Sequence, residues 1–286
     1  MRLLQHALAC LLLALSCSSA LAATDVLNLP YATVGDKALR LDLHLPNGTR
    51  NAPLVVYVHG GAWSAGDKTQ YPAFLVERGY AVASVDFRST DEAPFPANVH
   101  DIKAAIRFLR ARATTYGYDG QHIALSGASS GAHLAALVGV TADDKAMEGA
   151  LGDYPGTSST VQSIVSWFGA SNLTTILAQS TPFGLGVREP ALRKLLGDAP
   201  DKVPSIARQA SPVFHISKDD PPALLLHGDQ DRQMPINQLH ELQGAYEAAG
   251  LTVETLILHG VGHDSGPFFT GAPSEVVVAF LRRTIG

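Results

Sequence analysis

The chain has 286 residues, 46% of them hydrophobic and 16% charged, with 26 glycines, 17 prolines and a formal net charge of -5. Those proportions suit a globular domain and exclude collagen, coiled coil and an extended disordered chain; folding at this length buries roughly 75% of the surface that the unfolded chain exposes. With 26 acidic residues against 21 basic ones, no basic stripe is available to neutralise phosphates. Neither nucleic acid nor an anionic membrane surface is therefore an expected partner, and a small neutral or weakly charged substrate fits better.

The first 22 residues read as an export signal. Arg2 supplies the positive start, Ala7 to Leu15 an apolar stretch, and Ala20-Leu21-Ala22 a small-x-small cleavage site, so cleavage is expected after Ala22 and residues 23–286 form the folded domain. The apolar stretch is shorter than the roughly 20 residues that span a bilayer, so no membrane span is expected. A lipidated Cys17 is the alternative to simple export. Cys10 and Cys17 are the chain's two cysteines and both precede the cleavage site. The exported chain then needs no disulfide and offers no cysteine zinc site.

After the leader, Leu39, Leu41, Leu43 and Leu45 alternate with Arg40, Asp42 and His44, the period of a half-buried strand that Pro46-Asn47-Gly48 closes. This is expected to form an antiparallel N-terminal hairpin. Short, mostly apolar runs follow at 54–58, 80–85, 123–125, 164–168, 223–226 and 253–258, each predicted to be a strand buried on both faces of a parallel sheet. Helix-period segments lie between them. In Asp101 to Arg112, Ile102, Ala105, Ile106 and Leu109 share one face, while Lys103, Arg107, Arg110 and Arg112 are expected at the solvent or its margin. Asn237 to Ala249 and Ser274 to Arg283 repeat the pattern. The alternation predicts an α/β fold with one doubly wound, mostly parallel sheet. Leu173 to Ser217, with prolines that include Pro182, Pro190, Pro200 and Pro204 and with short apolar pieces, is expected to be a cap-like insertion of short helices that supplies pocket walls.

The chemistry concentrates at Gly127-Ala128-Ser129-Ser130-Gly131, a G-x-S-x-G turn between a predicted strand and a predicted helix. Such a turn exposes a serine hydroxyl, which makes Ser129 the candidate nucleophile. A serine needs a base, and the base needs an orienting acid. His263 follows the run 253–258, and Asp229 and Asp231 follow the run 223–226, so all three polar residues emerge at carboxyl ends of parallel strands beside Ser129. Of the two acids, Asp231 lies further beyond its strand and is expected to reach the imidazole, with Asp229 bracing the loop. Upstream, His59-Gly60-Gly61-Ala62-Trp63 also ends a strand. The amides of Gly61, Ala62 and Ser130 are the expected donors to a negative tetrahedral oxygen.

These segments, with Gly66-Asp67-Lys68 and Val85-Asp86-Phe87-Arg88, resemble the α/β-hydrolase superfamily, in particular its secreted carboxylesterases similar to bacterial feruloyl-esterase-like domains and to kynurenine formamidases. The resemblance covers nearly the whole exported chain. It implies a Ser129, Asp231, His263 triad, no cofactor, and a small-molecule or polymer-borne ester as substrate. An N-formyl amide is the alternative substrate, and a non-enzymatic interaction module the alternative role. Many lipase-like relatives read His-Gly-Gly-Gly where this chain has Ala62.

The remaining conspicuous residues receive plainer readings. His133 is expected to be a structural hydrogen-bonding group and His59 to hold the oxyanion loop. Trp63 is assigned to substrate binding, as a shelf for the acyl or alcohol group, with packing beneath the loop as its alternative. Trp167 and Phe168 are expected in the core and Asn172 at the site. No metal-binding pattern occurs.

Overall fold

The computed structural model describes residues 24–142 and 144–286; the leader expected at residues 1–22 lies outside the described residues. Two N-terminal strands, β1 (Thr24–Val34) and β2 (Lys37–Leu45), pair antiparallel as a hairpin. The polar side of β2 departs from a half-buried strand, because Asp42 and His44 are both buried. Asp42 accepts the Asn28 amide at 2.7 Å and lies 3.3 Å from Lys68 Nζ, while His44 stacks on Tyr71 with ring centres 3.8 Å apart. The loop that follows the next strand thus covers a face that local alternation marks as open.

Then come β3 (Ala52–Val58), α1 (Ala73–Glu77), β4 (Ala81–Val85), α2 (Ala97–Tyr116) and β5 (Tyr118–Ala128). The chain steps from β3 outward to β4 and returns across β3 to β5, which gives β3 parallel neighbours on both sides. That reversal is the switch point at which open α/β sheets leave a crevice beyond the strands' carboxyl ends. Successive residues of β3 explain why its run is apolar throughout. Leu54, Val56 and Val58 belong to a core layer shared with α2, whereas Val55 and Tyr57 face the opposite layer.

On the other side of β5 follow α3 (Ser130–Gly139), α4 (Lys145–Glu148) and β6 (Ser163–Trp167). Every residue of α3 is buried. Its small residues permit this: a Cβ on Gly139 would stand 2.4 Å from Ile164 Cδ1. The segment after β6 folds as α5 (Ile176–Gln179), α6 (Pro182–Leu196), α7 (Pro204–Gln209) and a single 3₁₀ turn. The chain ends with β7 (Ala223–Gly228), α8 (Asn237–Ala248), β8 (Val253–Leu258), α9 (Gly266–Phe269) and α10 (Gly271–Thr284). The eight strands form one sheet in the order β1-β2-β4-β3-β5-β6-β7-β8, parallel from β4 to β8. No helix of the described residues is long and apolar enough to cross a membrane.

α2 starts after Pro96, runs 20 residues without glycine, and stops at Gly117 in the left-handed conformation at φ +83°. Its cations correct the sequence reading. Lys103 and Arg107 do not reach solvent; both are fully buried. Lys103 Nζ donates to Thr141 O at 2.6 Å and to Glu148 at 3.2 Å, while Arg107 bonds Glu148 and, at 2.7 Å, Leu151 O. A helix face that carries charge is buried here because α4 brings a carboxylate and free carbonyls to it.

Candidate active site

The tight turn after β5 explains its own sequence. A Cβ on Gly127 would stand 2.4 Å from Gly131 O, and one on Gly131 would stand 2.1 Å from Val58 O, so neither position admits a side chain. Ser129, between them, adopts φ +55°, ψ -120°, a strained conformation for a residue with a Cβ. The turn is held by Ser129 N donating to Trp167 O at 2.9 Å. The hydroxyl is thereby aimed off the sheet edge, where loops from β7 and β8 meet it.

His263 Nε2 lies 2.9 Å from Ser129 Oγ, and His263 Nδ1 lies 2.6 Å from Asp231 Oδ2. An ionised carboxylate only accepts, so Nδ1–H donates to Asp231 and Nε2 is left to accept the serine proton. Asp231 is itself held: Oδ1 accepts the amides of Gln233 and Met234, each at 2.8 Å, and His227 Nε2 stands 3.4 Å from Oδ2. Burial alone would raise its pKa, but the hydrogen bonds from His227, His263 and the Met234 amide outweigh that and hold it far below the usual carboxylate range. Phe168 meets the His263 ring edge-on at 4.7 Å between centres. The other acid does what a brace does. Asp229 accepts the Gly260 amide and pairs with His259, both at 2.8 Å.

The loop after β3 forms the facing wall. Gly61 (φ +118°), Ala62 (φ +52°) and Trp63 (φ +61°) are three consecutive residues at positive φ, and a Cβ on Gly61 would stand 2.0 Å from Ala65 O. Among the described residues, neither the Gly61 nor the Ala62 amide donates to a backbone carbonyl in a turn or loop, and Ser130 is the first residue of α3, where an amide has no partner within the helix. Gly61, Ala62 and Ser129 line one crevice, and the buried Ser130 follows Ser129 directly without lining it. His59 keeps the loop in place: Nδ1 bonds Gly60 O at 2.8 Å and the ring stacks on Phe87. Burial lowers the His59 pKa, which favours the neutral ring.

Trp63 requires a correction. Its side chain is fully buried, does not line the cleft, and donates Nε1–H to His133 Nδ1 at 3.0 Å. The positive φ angles turn the chain inward here, so the indole packs beneath the loop and away from the cleft. His133 is the matching structural group. Its Nε2 bonds Ala210 O at 2.6 Å, and burial pushes its pKa down to about 4, so the ring stays neutral. Asn172 is also displaced from the site, its Oδ1 capping the turn through the Thr174 amide and hydroxyl at 3.1 and 2.6 Å.

The cleft has a volume of about 610 Å³ and contains Ser129 and His263 in its walls. Tyr57, Gln70 and Phe168 line it, with Val187 and Arg188 from α6 and Gln233 beside Asp231. Of the segment expected to build the pocket, Leu173 to Ser217, only Val187 and Arg188 reach it. None of these lining residues carries a sequence signature, except that Tyr57 and Phe168 belong to apolar runs. Among the described residues, no group of three or more His, Asp or Glu side chains is placed to hold a metal ion.

A family model described as BD-FAE matches residues 41–246. Esterase LipC of Mycobacterium tuberculosis is 30% identical over 243 residues, covering 82% of this chain and 59% of the relative. The chain thus spans well under two thirds of that relative's length. Among solved structures, a truncated form of a carbohydrate esterase from gut microbiota is 31% identical with TM-score 0.83, covering 91% of this chain and 95% of that one. A bifunctional GH43-CE protein of Bacteroides eggerthii is 33% identical with TM-score 0.81, covering 92% of this chain and 35% of its own. With a family match over most of its length and an eight-stranded sheet of the same build, the chain belongs to the BD-FAE family and has the α/β-hydrolase fold.

Proposed function

We propose that this protein is an exported serine carboxylesterase that hydrolyses carboxylic esters through an acyl-enzyme on Ser129. The observation that carries the reading is the continuous chain from Asp231 through His263 to Ser129 Oγ, at 2.6 and 2.9 Å. Ser129 Oγ attacks the ester carbonyl carbon as its proton passes to His263 Nε2, and the carbonyl oxygen becomes an oxyanion facing the Gly61, Ala62 and Ser130 amides. Collapse breaks the bond to the alcohol oxygen, which leaves with the proton from Nε2. Water then repeats the sequence: it gives a proton to Nε2, adds to the acyl carbon, and the returning proton restores Ser129 as the carboxylic acid departs. Asp231 keeps the imidazole in the tautomer that can accept and stabilises its cation.

The similarity to carbohydrate esterases supports acetyl or feruloyl esters carried on plant polysaccharides as the substrate class. The leader reading of residues 1–22 supports action outside the cytoplasm, in the periplasm or the medium. The test is initial rates of the purified chain on p-nitrophenyl acetate, methyl ferulate, acetylated xylan and N-formylkynurenine, each beside Ser129→Ala. Ester turnover is expected to fall on the order of 10⁶-fold in the variant. Formamide turnover exceeding every ester would overturn the ester assignment, and an active Ser129→Ala would remove the nucleophile. N-terminal sequencing of the exported protein is expected to begin at Ala23.

A further inference from the structure

Arg188 lies on α6 and lines the cleft that holds Ser129 and His263. Its side chain is almost wholly buried, with 1% of the residue exposed. Its contacts there are poor ones for a cation. Nε reaches Gln233 O at 3.4 Å, the guanidinium carbon stands 6.0 Å from the Trp63 ring centre, and Nη1 has no hydrogen-bond partner among the described residues. Asp231, whose carboxylate accepts from Gln233, Met234 and His263, acts on it through space.

The contrast with the other two fully buried cations is instructive. Lys103 and Arg107 share the carboxylate of Glu148 and also donate to backbone carbonyls, although Arg107 Nε has no hydrogen-bond partner among the described residues. A buried guanidinium without an anion is costly, because desolvation is not repaid by a partner. Arg188 has no anion in hydrogen-bonding contact among the described residues, only Asp231 acting through space, and it lies on the wall of the cleft.

We propose that Arg188 is a specificity residue that binds a carboxylate carried by the substrate, so that esters bearing an acid group near the scissile bond are preferred. The inference rests on the reading of this cleft as the ester-cleaving site. A hydroxyl or carbonyl would satisfy the free donor but leave the charge uncompensated. A carboxylate does both, and its two oxygens match the planar fork of a guanidinium. The cleft volume of about 610 Å³ leaves room for an acyl or alcohol group of that kind.

The test compares kcat/KM within two isosteric pairs, each rate divided by that ester's own hydroxide-catalysed rate. Mono-p-nitrophenyl glutarate against p-nitrophenyl glutaramate places the charge on the acyl side; 4-acetoxybenzoate against 4-acetoxybenzamide places it on the alcohol side. The wild type is expected to favour the charged member of at least one pair by roughly 10- to 100-fold, mostly through KM. Arg188→Met is expected to bring that ratio to about one, and Arg188→Lys to retain part of it. A wild-type ratio near one in both pairs overturns the proposal whether or not the variants fold, as does a ratio that Arg188→Met leaves unchanged. The neutral esters with Ser129→Ala report separately on the nucleophile: their turnover surviving in that variant removes the proposed mechanism, while the ratio within a pair still reads Arg188.

Discussion

Two Asp–His pairs join the loops after β7 and β8. Asp231 and His263 meet at 2.6 Å with side chains 0% and 13% exposed; Asp229 and His259 meet at 2.8 Å with side chains 29% and 89% exposed. The residue types and separations are nearly the same, so neither explains the difference in role. What differs is water and the second partner. Asp231 is sealed beneath two backbone amides and His227, and its histidine has Ser129 on the far nitrogen. His259 turns its ring to solvent, where an ion pair contributes little and is screened by salt.

The largest expected effect tests the buried pair. Asp231→Asn keeps the shape but favours the wrong imidazole tautomer, and kcat on p-nitrophenyl acetate is expected to fall by about 10⁴-fold. A fall of less than tenfold would show that the carboxylate does not set the tautomer of His263.

A smaller effect concerns what burial does to a histidine that takes no part in the chemistry. The His133 pKa is pushed from 6.5 down to about 4 by burial first, against the hydrogen bond to Ala210. Because the folded value is the lower one, the unfolded chain takes up a proton that the folded chain refuses. The contribution to stability is therefore complete above pH 6.5 and lost progressively as pH falls towards 4. Urea unfolding is expected to show about 2 kcal/mol less stability at pH 5 than at pH 8 from this group. His133→Gln should remove that component, and parallel pH curves for the two proteins would refute it.

The smallest expected effect belongs to the exposed pair. Asp229→Asn is expected to change kcat by less than about threefold, since the pair lies in water and its loop keeps other contacts. A loss comparable to that of Asp231→Asn would make the exposed pair part of the catalytic arrangement and erase the distinction between the two.

Much of the fold is legible locally, since each parallel strand is announced by a short apolar run. The runs at 54–58 and 253–258 fall within β3 and β8, and the run at 80–85 misses the start of β4 by one residue. β1 escapes notice because an edge strand open to solvent carries little apolar pattern: of its 11 residues only Tyr31 and Ala32 are buried. Lys103 and Arg107 escape for a different reason. Helical periodicity places them on a polar face, but the carboxylate that permits their burial lies about 40 residues further on, at Glu148.

The sequence by itself determined the alternation of strands and helices that allows a sheet edge to carry a site, and the G-x-S-x-G turn between a strand and a helix at Gly127 to Gly131. These are local consequences of side-chain size and periodicity, so they can be read one segment at a time. Tertiary structure alone decided that Trp63 faces His133 and not the cleft, and that Arg188 stands on the cleft wall without a hydrogen-bonded anion among the described residues. Each of those depends on which distant group arrives and on whether water is excluded there. Trp63 and His133 are 70 residues apart, and Ser129 and His263 are 134. Hydrogen bonding and desolvation act between neighbours in space, and only the folded chain defines who those neighbours are.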